Sequence, residues 1–218
     1  MVSLGPGDFE LVTLKALKVL KQCDVICIPT KSKGSFEKSM THKIVKKLMS
    51  EYGFEKEIVP IYSPMQFKKE DWQREVDEIQ ECFKNSKSVC FVTLGDSAIY
   101  SSVYYLLDLI KEQNIDLYEN CEVIAGVTSF SQASAKVKKP LCVGDSALEI
   151  VPLLDYEVPK TTVYMRPKIG MDTSNIKEEG SFYTFENLNF KDEKALDYKK
   201  KKVEKYMTLF VDFFDGKE

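Results

Sequence analysis

The sequence lacks residues and motifs on which several common classes of protein depend. Only one of its 218 residues is a histidine and only one is a tryptophan. The lone histidine, His42, argues against a metal site built from imidazoles and leaves any Ser-His-Asp triad dependent on this one residue. The chain contains no Gly-x-Gly-x-x-Gly fingerprint and no Gly-x-x-x-x-Gly-Lys-Ser/Thr loop, so nicotinamide cofactors and nucleoside triphosphates are disfavoured as ligands.

Charge of one sign and long apolar runs are also missing. The 31 Lys and Arg against 34 Asp and Glu leave a formal net charge of -3 at pH 7, so no overall positive field exists to hold a nucleic acid. The longest apolar stretches, such as 89–94, are far shorter than the roughly 18 to 20 residues of a membrane span. The start of the chain has no secretion-signal pattern. We therefore expect a cytoplasmic protein with neither nucleic acid nor membrane as a partner.

The six cysteines form no zinc or dithiol motif, because they are scattered through apolar contexts and no pair has a two-residue gap. Such a distribution predicts buried, reduced thiols and no metal site. Apolar residues make up 44% of the chain, which is enough to build a core and favours a folded protein over a disordered one.

Short apolar runs alternate with segments of helical period over the first part of the chain, a pattern typical of βα units around a largely parallel sheet. Asp8 precedes the first helical segment and is placed to cap it, while Gly53 stands at a helix end. The predicted strands are 2–4, 25–28, 58–61, 88–94 and 121–125. The predicted helices are 9–22, about 44–53, 72–83, 101–111 and 130–136.

The pattern changes near Gly126. Four further strands, predicted at 148–151, 161–165, 182–185 and 207–213, are separated by charged or Gly- and Pro-containing segments. The sequence therefore predicts an α/β protein of two domains. The first, residues 1–126, carries the mostly parallel βα sheet, and the second, residues 127–218, is a smaller α+β domain.

Three glycine-containing turns follow directly after three predicted strands, at residues 5–8, 95–97 and 126–129. The carboxyl ends of parallel strands share one edge of a sheet, and open α/β sheets bind their ligands there. Glycine allows a ligand to approach the backbone without a Cβ in the way. We therefore expect the three turns to converge on one site.

The residues of these turns resemble a known family. Gly-Pro-Gly-Asp at 5–8, Thr-Leu-Gly-Asp-Ser-Ala-Ile-Tyr-Ser-Ser at 93–102 and Gly-Val-Thr-Ser-Phe at 126–130 resemble the tetrapyrrole methylases of corrin biosynthesis. The central loop and the Thr-Ser-Phe are most similar to those of the precorrin-2 or cobalt-factor II C20-methyltransferases. The resemblance runs from about residue 2 to residue 165 and is loose beyond residue 170.

The resemblance implies an enzyme that methylates a tetrapyrrole with S-adenosyl-L-methionine, bound in a cleft between two domains of a homodimer. The family also leaves alternatives open, namely another ring position, uroporphyrinogen III, or the RNA ribose and diphthine substrates of distant relatives. From a different class, the chain could be a non-catalytic module that binds the cofactor or a tetrapyrrole. One departure from the family pattern is Ser97, which stands where proline is usual and removes a fixed dihedral from the loop.

Roles for individual residues follow from the same resemblance. Asp8 would face the substrate as a general base, with a helix cap as its alternative role. Tyr100, Lys31 and Lys33 are candidates for binding the substrate, since a flat ring that carries carboxylates needs aromatic and basic partners. The residues that would line the cofactor pocket are Pro6, Leu94, Gly95, Asp96, Ile99, Thr128, Ser129 and Met165.

Overall fold

A computed structural model describes residues 1–36, 39–64, 66, 68–144, 146–151, 160–165, 167–187, 190 and 192–214. The chain divides into two compact units, Met1–Leu148 and Glu149–Glu218. This division lies later than the domain boundary predicted at residue 126. The reason is that the turn at Gly126 is hydrogen-bonded to Asp96 and so stays with the first unit.

The first unit is built on a parallel sheet, as predicted. Its strands are β1 Val2–Ser3, β2 Val25–Thr30, β3 Glu57–Tyr62 and β4 Val89–Thr93. They lie in the order β1-β4-β2-β3, with Val2 opposite Val92 and Thr30 opposite Tyr62. The fifth strand predicted at 121–125 is reduced to one parallel bridge between Ile124 and Val2.

In the described part of the first unit, six helices accompany this sheet: α1 Leu14–Gln22, α2 Met40–Tyr52, α3 Lys69–Cys82, α4 Val103–Gln113, α5 Ile115–Glu119 and α6 Ser129–Val137. The helix predicted at 9–22 is interrupted because the Thr13 side chain accepts the amide of Ala16 and starts α1 afresh, leaving Phe9–Leu11 as a 3₁₀ turn. Gly53 ends α2 in the left-handed conformation, as predicted. The pattern missed α5, whose five residues are too few for a helical period to be recognised.

Apolar side chains cover both faces of the parallel sheet. In β2, Ile26 and Ile28 join a cluster with α1 and α2, whereas Val25 and Cys27 join a second cluster with α3 and α4. Successive residues of a strand point to opposite faces, so the two clusters lie on opposite sides of the sheet. Burial on both faces is typical of parallel sheets and fixes the strand ends on which the turns sit.

The second unit contains an antiparallel sheet of β5 Thr162–Tyr164, β6 Ser181–Glu186, β7 Lys194–Leu196 and β8 Thr208–Phe213, in the order β5-β8-β6-β7. Three of its four predicted strands are confirmed. The prediction at 148–151 is wrong, because these residues are exposed and pair with no strand among the residues that the structure describes. Among the described residues of this unit there is no helix.

The structure tests the expectation that the cysteines are buried thiols. Cys23, Cys27 and Cys90 are buried and free, whereas Cys142 is exposed, so the prediction of a buried thiol is wrong there. Cys142 follows α6 in a segment whose side chains pack against little else.

Within the described ranges, no helix combines the length and the hydropathy that a bilayer span requires. No cluster of three metal-ligating side chains occurs there either.

Candidate functional site at the carboxyl edge of the parallel sheet

The first two turns are joined directly through their backbones. The amide of Gly5 donates to the carbonyl of Gly95 at 3.1 Å, and the amide of Gly95 donates to the carbonyl of Gly5 at 2.7 Å. Both residues have positive φ angles, +73° and +77°, which glycine adopts without steric cost. The two turns therefore form one rigid corner at the ends of β1 and β4.

The carboxylate of Asp96 ties the third turn to this corner. Its Oδ2 accepts the amide of Gly126 at 2.7 Å, and its Oδ1 accepts the amide of Ala98 at 2.7 Å. A charged acceptor makes these hydrogen bonds stronger than neutral ones. The convergence of the three turns, predicted from strand topology, is confirmed, and Asp96 supplies the link.

Gly126 is glycine because three backbone segments meet around it. A Cβ placed on this residue would lie 2.6 Å from the carbonyl oxygen of Gly95 and 2.7 Å from the Cβ of Ser3. Both distances are too short for any non-bonded contact between heavy atoms. Close packing of the turns, rather than an unusual φ, is therefore what this position requires.

Ser97 contributes a contact that proline could not make. Its amide donates to the hydroxyl of Ser3 at 3.0 Å in a buried environment. Proline has no amide hydrogen, so the residue usual in the family would leave this bond unmade. The loop thus has a hydrogen-bonded constraint at the point where it lacks the fixed dihedral of proline.

The surface of the turns leaves room for a ligand against the backbone. A Cβ built on Gly7 or on Gly95 would meet no atom within 4 Å, so both glycines border open space. The side chain of Leu94 beside them is 46% exposed. A molecule with apolar and hydrogen-bonding parts, such as S-adenosylmethionine, fits a surface of this kind, and these residues would hold it through backbone groups and apolar contact.

Most residues assigned to the cofactor by resemblance lie on these turns or next to them. Thr128 caps α6, where its hydroxyl accepts the amide of Ser131, and Ser129 is the exposed first residue of that helix. Met165 lies in the second unit directly after β5, and its side chain is exposed. The assigned residues of the first unit lie on the three turns or shortly after them, and they are Pro6, Leu94, Gly95, Asp96, Ile99, Thr128 and Ser129.

Asp8 is the last residue of the first turn and caps the 3₁₀ turn after it. Its Oδ1 accepts the amide of Glu10 at 3.0 Å, and the residue is exposed. Asp8 also lines a groove of about 200 Å³ together with Lys43 and Lys47 of α2. The capping role considered from the sequence is therefore present, and the carboxylate remains accessible from the groove.

The tyrosines after the second turn differ from one another. Tyr100 has a φ of +49°, unusual for a residue with a side chain, and is 68% exposed at the turn. Burial, and then the negative charge of Asp96, raise the pKa of Tyr104. Tyr105 packs instead, because its ring stacks on Trp72 at 4.2 Å between centroids.

The two predicted lysines follow β2 at the same sheet edge. Both are exposed, and the Lys33 ammonium lies over the Tyr62 ring, 5.2 Å from its centroid. The Arg74 guanidinium lies over the same ring at 4.8 Å. Reasoning from the sequence missed Tyr62 and Arg74, and the one available signal was that arginine is rare in this chain.

The sequence was compared with models of known protein families. The model of the tetrapyrrole (corrin/porphyrin) methylases matches residues 1–174, which is most of the chain and includes all three turns. The chain belongs to this family. The predicted resemblance is confirmed, and the architecture of a helix-covered parallel sheet and a second sheet unit is the expected two-domain α/β fold.

The relatives of this chain include two proteins named as cobalt-precorrin-2 C(20)-methyltransferases. A probable cobalt-precorrin-2 C(20)-methyltransferase of Methanocaldococcus jannaschii is 32% identical over 69% of this chain and 62% of its own length. The cobalt-precorrin-2 C(20)-methyltransferase of Salmonella typhimurium is 29% identical over 69% of this chain and 61% of its own length. The matched part thus spans about three fifths of these curated relatives.

Solved structures of tetrapyrrole methylases also align with the chain. One is the uroporphyrin-III C-methyltransferase of Thermus thermophilus in complex with S-adenosyl homocysteine. It is 16% identical, with a TM-score of 0.49, over 96% of this chain and 94% of that one.

Proposed function

We propose that this tetrapyrrole methylase transfers a methyl group from S-adenosyl-L-methionine to C20 of precorrin-2 or of its cobalt-containing counterpart in cobalamin biosynthesis. The observation that carries the proposal is the convergence of the three turns, cross-linked by Asp96, at the carboxyl edge of the parallel sheet. The relatives named for the C20 reaction support this ring position over the others.

The protein's main task in such a reaction is alignment. Bound S-adenosylmethionine supplies an already activated methyl group, so the chain needs chiefly to orient it toward the ring carbon. The hydrogen bonds between Gly5 and Gly95, and from the amide of Gly126 to Asp96, hold the turns in one arrangement before any ligand arrives. Preorganisation of this kind lowers the entropic cost of reaching the reactive geometry.

A ring carbon that gains a methyl group must also lose a proton, and Asp8 is our candidate to accept it. The carboxylate is exposed, borders the groove with Lys43 and belongs to the last residue of the first turn. The acceptor contact to the amide of Glu10 uses Oδ1. The other oxygen is therefore the one that would take up a proton.

Transfer of isotopically labelled methyl tests the reaction and its position. The purified chain is incubated with labelled S-adenosylmethionine and with metal-free or cobalt-loaded precorrin-2, and the product is examined by NMR. Label at C20 is the expected result, and the faster of the two substrates shows whether cobalt is already in the ring. Label at another carbon, or on uroporphyrinogen III only, would replace the proposed position. Cofactor binding without any labelled product would instead support the non-catalytic module.

Asp8→Asn separates the two roles of this residue. Asparagine caps helical turns about as well as aspartate but cannot accept a proton. We therefore expect the melting temperature and the affinity for S-adenosylmethionine to stay close to those of the parent chain, while kcat falls by about 100-fold or more. Unchanged kcat in this variant would reduce Asp8 to a capping residue.

We also propose that the active form is a homodimer, as the resemblance implies. Light scattering on the purified chain would then return about twice the mass of the 25.0 kDa protomer. A mass of one protomer at micromolar concentration would contradict it.

A further inference from the structure

A second concave region lies on the first unit, along the edge strand β3. This groove has a volume of about 570 Å³ and runs between β3 and α3. Tyr62, Lys33 and Arg74 line one end of it, where β2 and β3 finish. None of these three belongs to the turns that hold the cofactor in the proposed function.

Two cations lie over one aromatic ring at this end. The Lys33 ammonium is 5.2 Å and the Arg74 guanidinium 4.8 Å from the centroid of Tyr62, within the range of cation–π attraction. Both side chains also line the groove, so an anion bound beside Tyr62 would be attracted by two positive charges. This end of the groove is therefore a candidate anion-binding site.

The acidic groups near this end leave the cations available. One oxygen of Glu78 accepts the amide of Tyr62 at 2.9 Å, so it serves the edge strand. Asp71 accepts a hydrogen bond from Nη2 of Arg74 at 2.8 Å, which uses one of the five donors of the guanidinium. Nε of Arg74 is buried, but the side chain as a whole is 38% exposed, so the donors left at the end of the guanidinium can reach a second acceptor.

The remaining acids of the groove lie toward its other end. Glu57 begins β3, and Glu81 is in the last turn of α3, which runs back toward the start of the strands. Both cations of the groove lie where β3 ends, beside Glu78 and the Asp71 partner of Arg74, whereas the described lining residues where β3 begins include acids and no cation. An anion would therefore bind at the end that carries Lys33 and Arg74, here called the basic end, because the other end repels it.

The basic end shares its sheet edge with the cofactor turns. In the strand order β1-β4-β2-β3, two steps separate β4, which leads into the Gly95 turn, from β3, which leads into this site. Neighbouring strands are about 4.8 Å apart, so the two sites are about 10 Å apart along the edge. A macrocycle with carboxylates around its rim can reach both, whereas a small acid cannot.

We propose that Lys33 and Arg74 form a carboxylate-binding site for an acidic side chain on the rim of the tetrapyrrole, with Arg74 as the principal contact. The inference rests on the proposed function for the identity of the ligand and adds a substrate-binding residue that the sequence did not reveal. A guanidinium matches the planar fork of a carboxylate, which an ammonium does not. Arg74 is one of only two arginines in a chain that otherwise uses lysine for positive charge.

The test compares Arg74→Gln, Arg74→Lys and Lys33→Gln with the parent chain. Uroporphyrin III, a stable porphyrin with carboxylates around its whole rim, serves as the probe, and its fluorescence reports the dissociation constant. We expect Arg74→Gln to weaken probe binding by about 10-fold to 100-fold, and Arg74→Lys and Lys33→Gln by less. KM for the tetrapyrrole should rise in parallel, with kcat and the affinity for S-adenosylmethionine unchanged.

Lys111→Gln is the matched control. Its ammonium also lies over a tyrosine ring, that of Tyr118, at 5.2 Å from the centroid, but at the end of α4. The control should bind the probe as the parent does, and its melting temperature calibrates the loss of one cation–π contact. An Arg74 variant with parental melting temperature and parental probe affinity would overturn the proposal.

Failure of this site and failure of the proposed reaction give different results. If methyl transfer proceeds but the variants bind the probe and the substrate as the parent does, the carboxylate site is wrong and the reaction stands. If no tetrapyrrole is methylated but Arg74→Gln still loses probe affinity, the site stands and the reaction is wrong. Equal weakening by Lys111→Gln would show a nonspecific charge effect and would also overturn the site.

Discussion

The two units of the chain are stabilised in different ways. The first buries two apolar clusters on opposite faces of its parallel sheet, whereas the apolar cluster of the second contains only Phe182, Val203 and Phe210 as buried members among the described residues. A small unit buries a smaller fraction of its surface, so it gains less from the hydrophobic effect. Polar contacts in the second unit make up part of the difference.

These polar contacts hold buried charges in the antiparallel sheet. Asp212 of β8 accepts the amides of Glu179 and Gly180 at 2.8 and 2.9 Å. Glu186 of β6, which is 1% exposed, pairs with Lys200 at 2.7 Å. Buried charges are costly unless they are paired, so the second unit should be more sensitive to loss of a single partner than the first.

Lys200→Met should give the largest effect. It leaves the Glu186 carboxylate buried without its cation, which we expect to destabilise the second unit by about 3 to 5 kcal/mol. Hydrogen exchange at the amides of β6 and β8 should become faster. The fluorescence of Trp72, the single tryptophan, reports the first unit and should unfold at the parental denaturant concentration if the two units are stabilised separately.

Glu204→Gln is the control for this variant. It removes the other carboxylate that pairs with Lys200, but the Glu204 side chain is 62% exposed, so the expected loss is below about 1 kcal/mol. Equal exchange rates in the two variants would show that the buried ion pair does not stabilise the second unit.

The first unit is stabilised mainly by apolar clusters, but it also buries a carboxyl group, that of Glu75, beside such a cluster. Burial raises the pKa of Glu75 from an ordinary value of 4.5 to about 7. The folded state therefore retains a proton that the unfolded state loses, and the free energy of unfolding should fall as pH rises from about 4.5 through about 7. A pKa shift of this size corresponds to a change in the free energy of unfolding on the order of 3 kcal/mol.

Denaturant titrations of Trp72 fluorescence between pH 4 and pH 8 measure this dependence. Glu75→Gln keeps the shape of the side chain but cannot titrate. The free energy of unfolding of this variant should therefore fall less as the pH rises, and the variant should be more stable than the parent at pH 8. The same slope in both proteins would show that Glu75 does not titrate in this range.

Gly126→Ala should cost about 2 to 3 kcal/mol in the first unit, because the added Cβ overlaps the Gly95 carbonyl and Ser3. The turns must separate to admit it, so affinity for S-adenosylmethionine should fall as well. Isothermal titration and thermal unfolding measure the two effects. Gly144→Ala, whose Cβ would meet nothing, controls for loss of a glycine and carries only the cost of a left-handed φ, about 1 kcal/mol.

Ser3→Ala should give the smallest effect, about 1 to 2 kcal/mol, because it leaves the buried amide of Ser97 without its acceptor. Ser97→Ala retains that amide and should be close to neutral by thermal unfolding. If the two variants have equal melting temperatures, the bond between these residues does not constrain the loop.

The architecture of the first unit was largely predictable, because its signals are local. Alternating apolar runs and helical periods indicated four of its strands, and glycine turns after strands indicated the site edge. Errors came where a local signal misleads. The apolar residues at 148–151 suggested a strand but find no partner in the described part of the chain, and Thr13 divides a helix that the pattern joins.

The sequence by itself determined the parallel sheet, the position of three turns at one edge and the family that these turns resemble, since each depends on residues close together in the chain. Only the tertiary structure decided why Gly126 must be glycine, how Ser97 compensates for a missing proline and that Lys33 and Arg74 both lie over the Tyr62 ring. Those features join residues far apart in sequence. Their contacts follow from the packing of strands and helices, which local propensity does not encode.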